Sequence, residues 1–293
     1  MTPAVVYIAG AGRSGSTLLD NLLGAAEGWF SAGELRLLWA GRSMWTHRCG
    51  CGEPLRSCPL WTSVLEAARL DVAAMGALQD RLARGRRAGL ALTGRARSDR
   101  ARYVAGLHSL YRAIGEVSDA RVVVDSSKSP SGAVLTIDTG APVVVVHLVR
   151  DPRAVAWSWR RTAERAEDEA LPFAPRLAVV SAAEWLATNG ATELARRRRP
   201  RAAWVRLRYE DVVAEPAGAL ATVRQTTGLP ETPFAVPDSL PPNHTVAGNP
   251  SRFRSGAFAL RADDEWRARL GPVDRRMVTA VAAPLLLRYG YGT

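Results

Sequence analysis

The stretch that decides the fold is "GAGRSGST", residues 10–17, in which Gly10, Gly15 and Thr17 follow the spacing G-x-x-x-x-G-x-[ST]. An apolar run of strand type, residues 4–9, precedes it, and a helix pattern carrying Leu18 and Leu22 on one face follows it. A strand, a glycine turn and a helix place backbone N–H groups around one concavity at the positive end of the helix dipole. The stretch therefore predicts an anion-binding loop.

The spacing is that of a nucleotide-binding P-loop, but Ser16 stands where such a loop has its lysine. Ordinary ATPases and kinases need that lysine on the transferring phosphoryl group and Mg²⁺ on the Ser/Thr. Asp125 and Asp151 follow strands but lie in basic, hydroxyl-rich segments, unlike a Walker B acid. Binding of an anion without metal is therefore favoured, and Thr17 can also cap the helix. The predicted ligand contacts of the loop are Gly12, Arg13, Ser14, Gly15, Ser16 and Thr17.

Strand and helix patterns alternate along the rest of the chain. Further strands are predicted at 121–124, 143–149 and 203–209, with helices near 176–198 and 216–227. The continuous apolar run 143–149 is typical of a parallel strand that is buried on both faces. The pattern predicts an α/β fold, a P-loop-like parallel sheet flanked by helices, in a single domain with helical insertions.

The composition is that of a globular protein with a strong excess of positive charge. The formal net charge is +11, because 39 Lys and Arg residues face 28 Asp and Glu residues, and such a field attracts polyanions. A coding bias toward arginine explains much of this total, and the run 196–199 is best explained as a solvated helix end. No signal peptide or apolar run of membrane-spanning length is found, so we expect a cytoplasmic protein without a membrane span.

Two segments resemble the cofactor signatures of PAPS-dependent sulfotransferases. They are "GRSGST" after the first strand and "VVHLVRDPRAVAWS", residues 145–158, at the central strand. The resemblance implies that the first loop holds the 5′-phosphosulfate of 3′-phosphoadenosine 5′-phosphosulfate (PAPS). It also implies that Arg150 and Ser158, eight residues apart, hold the 3′-phosphate. No metal would be required.

Two more segments, "GELRLL" at 33–38 and "VVDSSKSP" at 123–130, resemble the branch that includes tyrosylprotein sulfotransferases and many bacterial sulfotransferases. In that branch a glutamate 21 positions after the loop arginine is the catalytic base, and a lysine follows a strand. The resemblance implies that Glu34, Arg13 and Lys128 are catalytic. By its position alone, Glu34 is better explained as a helix N-terminal carboxylate or a salt-bridge partner. For Lys128 a functional role is favoured over an exposed turn, because the turn follows a buried strand at the expected edge of the site.

The segments "RYED" at 208–211 and "AGNPSRF" at 247–253 extend the resemblance. They imply that Tyr209 touches the adenine, although a packing tyrosine is as good an explanation. They also imply that Asn249 and Arg252 lie in a loop that folds over the cofactor. The implied organisation is one sulfotransferase domain over 1–293, a helical insertion at about 60–118 and a C-terminal cofactor-covering loop at about 240–258.

The implied reaction moves a sulfuryl group to a hydroxyl of a small-molecule, natural-product or glycan acceptor. Nucleic acid is not an expected partner, and the oligomeric state is not readable. An aromatic or lipidic acceptor would suit a site lined by Trp29, Phe30, Trp39, Trp45 and Trp61, which are equally explained as core residues. The alternatives are an atypical P-loop kinase using ATP and Mg²⁺ and a non-enzymatic polyanion-binding protein.

Three cysteines, Cys49, Cys51 and Cys58, fall in one short window. The spacing C-x-C-x₆-C is not a common zinc pattern, although His47 could be a fourth ligand. Small buried thiols, or one disulfide beside a free thiol, are favoured over structural zinc, and no metal is expected.

Of the remaining histidines, His147 lies within a buried strand pattern and is predicted to be a satisfied core residue. His244, near the C-terminal loop, is the alternative general base if Glu34 does not fill that role.

Overall fold

A computed structural model describes residues 2–83, 96–164, 176–228, 236–253, 256–257 and 260–292. Parts of the expected insertion and of the expected covering loop lie outside these residues. No helix within the described ranges is long and apolar enough to cross a membrane.

The centre of the molecule is a five-stranded, fully parallel sheet. Its strands are β1 (Ala4–Ala9), β2 (Trp29–Gly33), β3 (Val122–Lys128), β4 (Val143–Val149) and β5 (Ala203–Arg208). The spatial order is β2-β3-β1-β4-β5. Two short strands, β6 (Ser239–Leu240) and β7 (Gly256–Ala257), form a separate antiparallel pair. The α/β expectation is confirmed, whereas β2 was not expected from the sequence.

Helices cover the sheet and connect its strands. They are α1 (Ser16–Gly24), α2 (Pro59–Ala68), α3 (Val72–Ala83), α4 (Arg97–Ser118), α5 (Pro130–Ile137), α6 (Pro152–Glu164), α7 (Ala178–Arg198), α8 (Tyr209–Ala214), α9 (Pro216–Thr227), α10 (Trp266–Arg269) and α11 (Pro272–Leu286). Short 3₁₀ turns occupy Leu35–Leu37, Arg42–Thr46, Leu55–Ser57, Pro250–Phe253 and Leu287–Tyr289.

The order of the strands fixes the position of the glycine loop. β1 lies at the centre, where Val5 pairs with Val123 of β3 on one side and Val143 of β4 on the other. The chain turns to opposite sides of β1 at its carboxyl end, which is where ligands bind in open parallel sheets. The loop 10–17 therefore lies between the ends of β3 and β4.

Two of the tryptophans that follow β2, Trp39 and Trp61, belong to the core. Trp61 is fully buried, and the Trp39 indole donates to Gln79 Oε1 at 3.0 Å and Tyr103 Oη at 3.2 Å inside the packed helices. These two residues are therefore core residues, and the suggestion that they line an acceptor site is wrong for them.

Candidate active site

The glycine loop is pressed between β4 and the start of α8. Gly10 and Gly15 have φ of 140° and 90°, a region in which residues with a Cβ are strained. A Cβ on Gly10 would lie 2.2 Å from the Leu148 carbonyl oxygen, and one on Gly15 would lie 2.4 Å from the Tyr209 ring. Only glycine fits at both positions. Because glycine has no side chain, the backbone N–H groups in the turn before α1 remain accessible to a ligand.

Arg150 holds the loop from the β4 side. Its Nη1 donates to the Arg13 carbonyl at 3.1 Å, and its guanidinium lies 4.2 Å from the centre of the Tyr209 ring. Its Nη2 donates to the Asp263 carbonyl at 3.2 Å and lies 3.0 Å from the Asp263 carboxylate, a partner from a distant segment that no sequence pattern indicated. Ser158, on α6, is buried as well. Arg150 is thus fixed beside the loop.

Arg13 adds a second, half-buried cation to the same place. Its guanidinium lies 5.0 Å from the Trp159 ring, a neighbour that sequence reasoning did not single out. Burial, with the nearby charges of Arg161 and Arg150, lowers the pKa of Arg13 to about 10. The group stays charged at neutral pH, and its lowered pKa has burial as the first cause and the neighbouring cations as the second.

Glu34 lies on the opposite side of the loop, after β2. Lys128 Nζ donates to its Oε1 at 2.5 Å, and Arg36 Nη2 donates to its Oε2 at 3.1 Å. Burial raises the pKa of Glu34, but the two cations and their hydrogen bonds outweigh it and hold that pKa below its ordinary value. The Lys128 carbonyl also accepts from Gly10 N at 3.3 Å, which joins this ion pair to the glycine loop. Glu34 is therefore a carboxylate at neutral pH.

A second layer of hydrogen bonds positions Arg36. Its backbone N–H donates to Ser127 Oγ at 3.0 Å and its Nε to the Ser127 carbonyl at 2.8 Å. Ser127 Oγ and Tyr111 Oη in turn donate to Asp125, at 2.5 and 2.7 Å. Burial raises the pKa of Asp125 to about 6. Sequence reasoning missed Arg36, although it stands two residues after Glu34 in "GELRLL".

Residues 243–252 form a segment, here called the strap, that runs across the site. Val246 N donates to the Ala32 carbonyl at 3.0 Å, and Asn249 N donates to Thr17 Oγ1 at 3.2 Å. Arg252 is buried and donates to the Gly248 carbonyl at 2.9 Å. Thr17 therefore accepts a hydrogen bond from the strap and does not cap α1, whose N-cap is Gly15.

The two histidines that the sequence singled out have different surroundings. His147 Nε2 lies 2.9 Å from Asn189 Oδ1, and burial lowers its pKa to about 4, which confirms a neutral core histidine. His244 Nδ1 lies 3.3 Å from the sulfur of Cys58. Its ring belongs to a cluster of thiols, which gives it a different set of partners from that of Glu34.

The residues of the loop fit an anionic ligand. Within the described part of the chain, neither the buried Ser14 hydroxyl nor the buried Nε of Arg150 has a hydrogen-bond partner. Buried donors without partners are costly, and an anion seated on the loop can accept from them. Glu34 and Lys128 flank the same loop, so a buried carboxylate lies beside the glycine loop and its unpartnered donors.

Comparison with known proteins agrees with this arrangement. Residues 3–233 match the family model described as "Sulfotransferase family". A sulfotransferase domain from the curacin biosynthetic pathway superposes with a TM-score of 0.52 at 20% identity, covering 99% of this chain and 98% of that one. One from the Synechococcus PCC 7002 olefin synthase superposes with a TM-score of 0.54 at 17% identity, covering 100% of this chain and 96% of that one. No curated protein sequence matches the chain. With the family model matching well over half of its length, the chain belongs to the sulfotransferase family.

Proposed function

We propose that the protein transfers a sulfuryl group from PAPS to the hydroxyl of a small-molecule acceptor. The observation that carries this proposal is the buried Glu34 carboxylate, held by Lys128 and Arg36 beside a glycine loop with unsatisfied donors. The loop 10–17, Arg150 and Ser158 would hold the phosphates and the transferred group. When bound, PAPS supplies the sulfuryl group, whose bond to the phosphate oxygen breaks as adenosine 3′,5′-bisphosphate leaves.

Glu34 is assigned the role of general base. An acceptor hydroxyl becomes nucleophilic as its proton passes to a carboxylate within hydrogen-bond reach. The lowered pKa of Glu34 supports this role, because it keeps the group deprotonated and able to accept a proton at neutral pH. Lys128 and Arg36 each donate to one oxygen of Glu34, which fixes the orientation of the carboxylate.

The cations of the site are assigned to charge stabilisation. Negative charge grows on the transferring and bridging oxygens as the bond to sulfur breaks. Arg13, Lys128 and the N–H groups of the loop are fixed before reaction, and preorganised donors of this kind lower a barrier without further rearrangement. Tyr209, packed against Gly15 and Arg150, is assigned to the adenine side, and Asn249 and Arg252 to the covering strap.

We infer a small-molecule or natural-product acceptor, and we propose only the class of the acceptor. Two of the structures that resemble this chain are domains of a biosynthetic pathway and of an olefin synthase. The identity of their acceptors is not carried over to this chain. A glycan hydroxyl is a further candidate of the same chemistry.

Thermal unfolding with and without nucleotide tests the donor assignment. Adenosine 3′,5′-bisphosphate at about 100 times its dissociation constant stabilises a protein by about 2.7 kcal/mol, which is readily measured as a shift in Tm. ADP lacks the 3′-phosphate and should give a smaller shift. Arg150→Ala should reduce the shift caused by the bisphosphate, each variant being compared with its own unliganded Tm.

Two results would overturn the donor assignment. One is the absence of any shift with adenosine 3′,5′-bisphosphate. The other is a larger shift with ADP and Mg²⁺, which would favour the atypical kinase.

The base is tested by Glu34→Gln, which keeps the shape of the side chain and removes its charge. The expected loss in turnover is about 10²- to 10⁴-fold, with the bisphosphate-induced shift in Tm retained. Glu27→Gln, at an exposed carboxylate, is the matched control and should leave turnover unchanged. Near-normal turnover of the Glu34 variant would remove this residue from the role of base.

A further inference from the structure

Three cysteine sulfurs and one histidine nitrogen meet at one place between the β2–α2 segment and the strap. The Sγ atoms of Cys49, Cys51 and Cys58 and a ring nitrogen of His244 all lie within 4.8 Å of one another. The two cysteines at the ends of this window are buried and the third is half-buried. Residues 186 positions apart in sequence, Cys58 and His244, are therefore brought into contact by the fold.

The separations are those of ligands around a tetrahedral metal. Cys58 Sγ lies 3.7 Å from Cys49 Sγ, 3.8 Å from Cys51 Sγ and 3.3 Å from His244 Nδ1. Tetrahedral zinc with bonds of about 2.3 Å to sulfur and about 2.0 Å to nitrogen separates two sulfurs by about 3.8 Å and a sulfur from a nitrogen by about 3.5 Å. The observed distances match this geometry and exceed the roughly 2.05 Å of a disulfide.

The surrounding backbone holds the four side chains in place. Gly50 N donates to the Thr245 carbonyl at 3.0 Å, and Trp61 Nε1 donates to the His244 carbonyl at 2.6 Å. Arg252 Nη2 donates to the Arg48 carbonyl at 3.2 Å, which places a cation beside the cluster. A cation there suits three thiolates around a divalent metal, whose combined charge is negative.

We propose that Cys49, Cys51, Cys58 and His244 bind one zinc ion in a closed Cys₃His site. All four positions of the tetrahedron come from protein, which is the pattern of a structural site with no open position for substrate. The ion clamps the β2–α2 segment to the strap. His47, the fourth ligand considered from the sequence, is outside the cluster, and its place is taken by a residue that the chain supplies almost 200 positions later.

Metal content of the full-length protein is the direct test. The chain is produced without a polyhistidine tag, purified under reducing conditions without chelator, and analysed by inductively coupled plasma mass spectrometry. We expect about one zinc per chain, the stoichiometry of a single Cys₃His site. Replacement by Co²⁺ should give the intense d–d bands of tetrahedral cobalt and near-ultraviolet bands from thiolate-to-metal charge transfer.

Variants separate the ligands from their neighbours. Cys51→Ser and His244→Asn should each lose most of the zinc or release it to a chromogenic chelator many times faster than the unmodified chain. His47→Asn is the matched control and should keep zinc content and release rate unchanged. Should a ligand variant fail to fold, the zinc content and the cobalt spectrum of the unmodified chain still decide the question.

Two outcomes would overturn the proposal. One is a reduced, folded chain that carries substoichiometric zinc and gives no tetrahedral cobalt spectrum. The other is a freshly isolated chain in which only one of the three thiols reacts under denaturing conditions, which would indicate a disulfide beside a free thiol. Neither result depends on sulfuryl transfer, so the metal site and the proposed activity succeed or fail separately.

Discussion

Lys128 is the only lysine of a chain in which lysine and arginine together number 39. The chain otherwise uses arginine for its basic residues, but it has an ammonium group at this position, where the side chain pairs with Glu34. Ammonium is a compact point charge with three donors, whereas guanidinium is a planar fork that prefers to hold both oxygens of a carboxylate. A lysine can hold one oxygen of Glu34 while Arg36 holds the other, and it can turn toward a developing charge on the loop side.

Removal of this charge should shift the pH dependence of the reaction. Lys128 and Arg36 hold the pKa of Glu34 down, so Lys128→Met should raise it. Because the carboxylate is the active form, the rising limb of kcat/KM against pH should move to higher pH. Lys128→Arg keeps the charge and should leave the position of the limb unchanged, even if turnover falls. If the pH profiles of Lys128→Met and the unmodified chain are the same, Lys128 does not control the pKa of the base.

At the scale of elements, one buried carboxylate joins α1 to two strands. Asp20, on α1, accepts from Ser31 Oγ of β2 and from Ser126 Oγ of β3, each at 2.7 Å. Burial raises the pKa of Asp20 to about 7 despite these hydrogen bonds. The helix that follows the glycine loop is thus docked on the sheet by a group that prefers to be protonated.

This docking makes stability depend on pH. In the unfolded chain Asp20 would lose its proton near pH 4, whereas the folded chain keeps it up to about pH 7. The folded state binds the extra proton in between, so the free energy of unfolding should fall with rising pH, by on the order of 1 kcal/mol per pH unit.

Asp20→Asn removes the titrating group and should flatten this part of the profile. The variant should gain stability relative to the unmodified chain between pH 5 and 8, as measured by urea unfolding. Asp264→Asn, at an exposed carboxylate, is the control. A constant difference between Asp20→Asn and the unmodified chain across that range would contradict the prediction.

At the scale of the whole molecule, clusters of arginine lie at both ends of the parallel strands. Arg13 and Arg150 lie at the carboxyl edge, whereas the exposed arginines 196–198 end α7, just before β5 begins at Ala203. The six residues of β5 span about 20 Å, more than twice the Debye length of about 8 Å at physiological salt. The charge of arginines 196–198, at the amino end of β5, should therefore contribute little to the affinity of the loop for an anionic ligand.

Removal of the positive charge at the end of α7 tests this expectation. With Arg196, Arg197 and Arg198 all changed to Gln, the affinity for adenosine 3′,5′-bisphosphate should change by less than about twofold at 0.15 M salt. Elution from heparin should move to lower salt, because nonspecific polyanion binding depends on total charge. A loss of nucleotide affinity as large as that of Arg150→Ala would show that the charge run acts on the site.

Local sequence pattern was sufficient to predict much of the fold and the part of the site that the glycine loop forms. The strand–glycine–helix succession at 4–24 and the apolar run at 143–149 appear where local sequence predicts them, because periodicity and glycine torsions are properties of neighbouring residues. β2 was missed because "WFSAG" has little strand pattern of its own, and its strand form depends on pairing with β3.

The sequence by itself determined the alternation of strands and helices, the glycine loop after β1 and the residue types around that loop, since each depends on neighbours within one short segment. Tertiary structure alone decided which distant groups meet. Arg150 pairs with Asp263, Glu34 pairs with Lys128, and the three cysteines lie beside His244. The partners are far apart in sequence, and no local pattern predicts which of them come into contact. The physical reason is that strand order and the return of the strap, rather than spacing along the chain, set these distances.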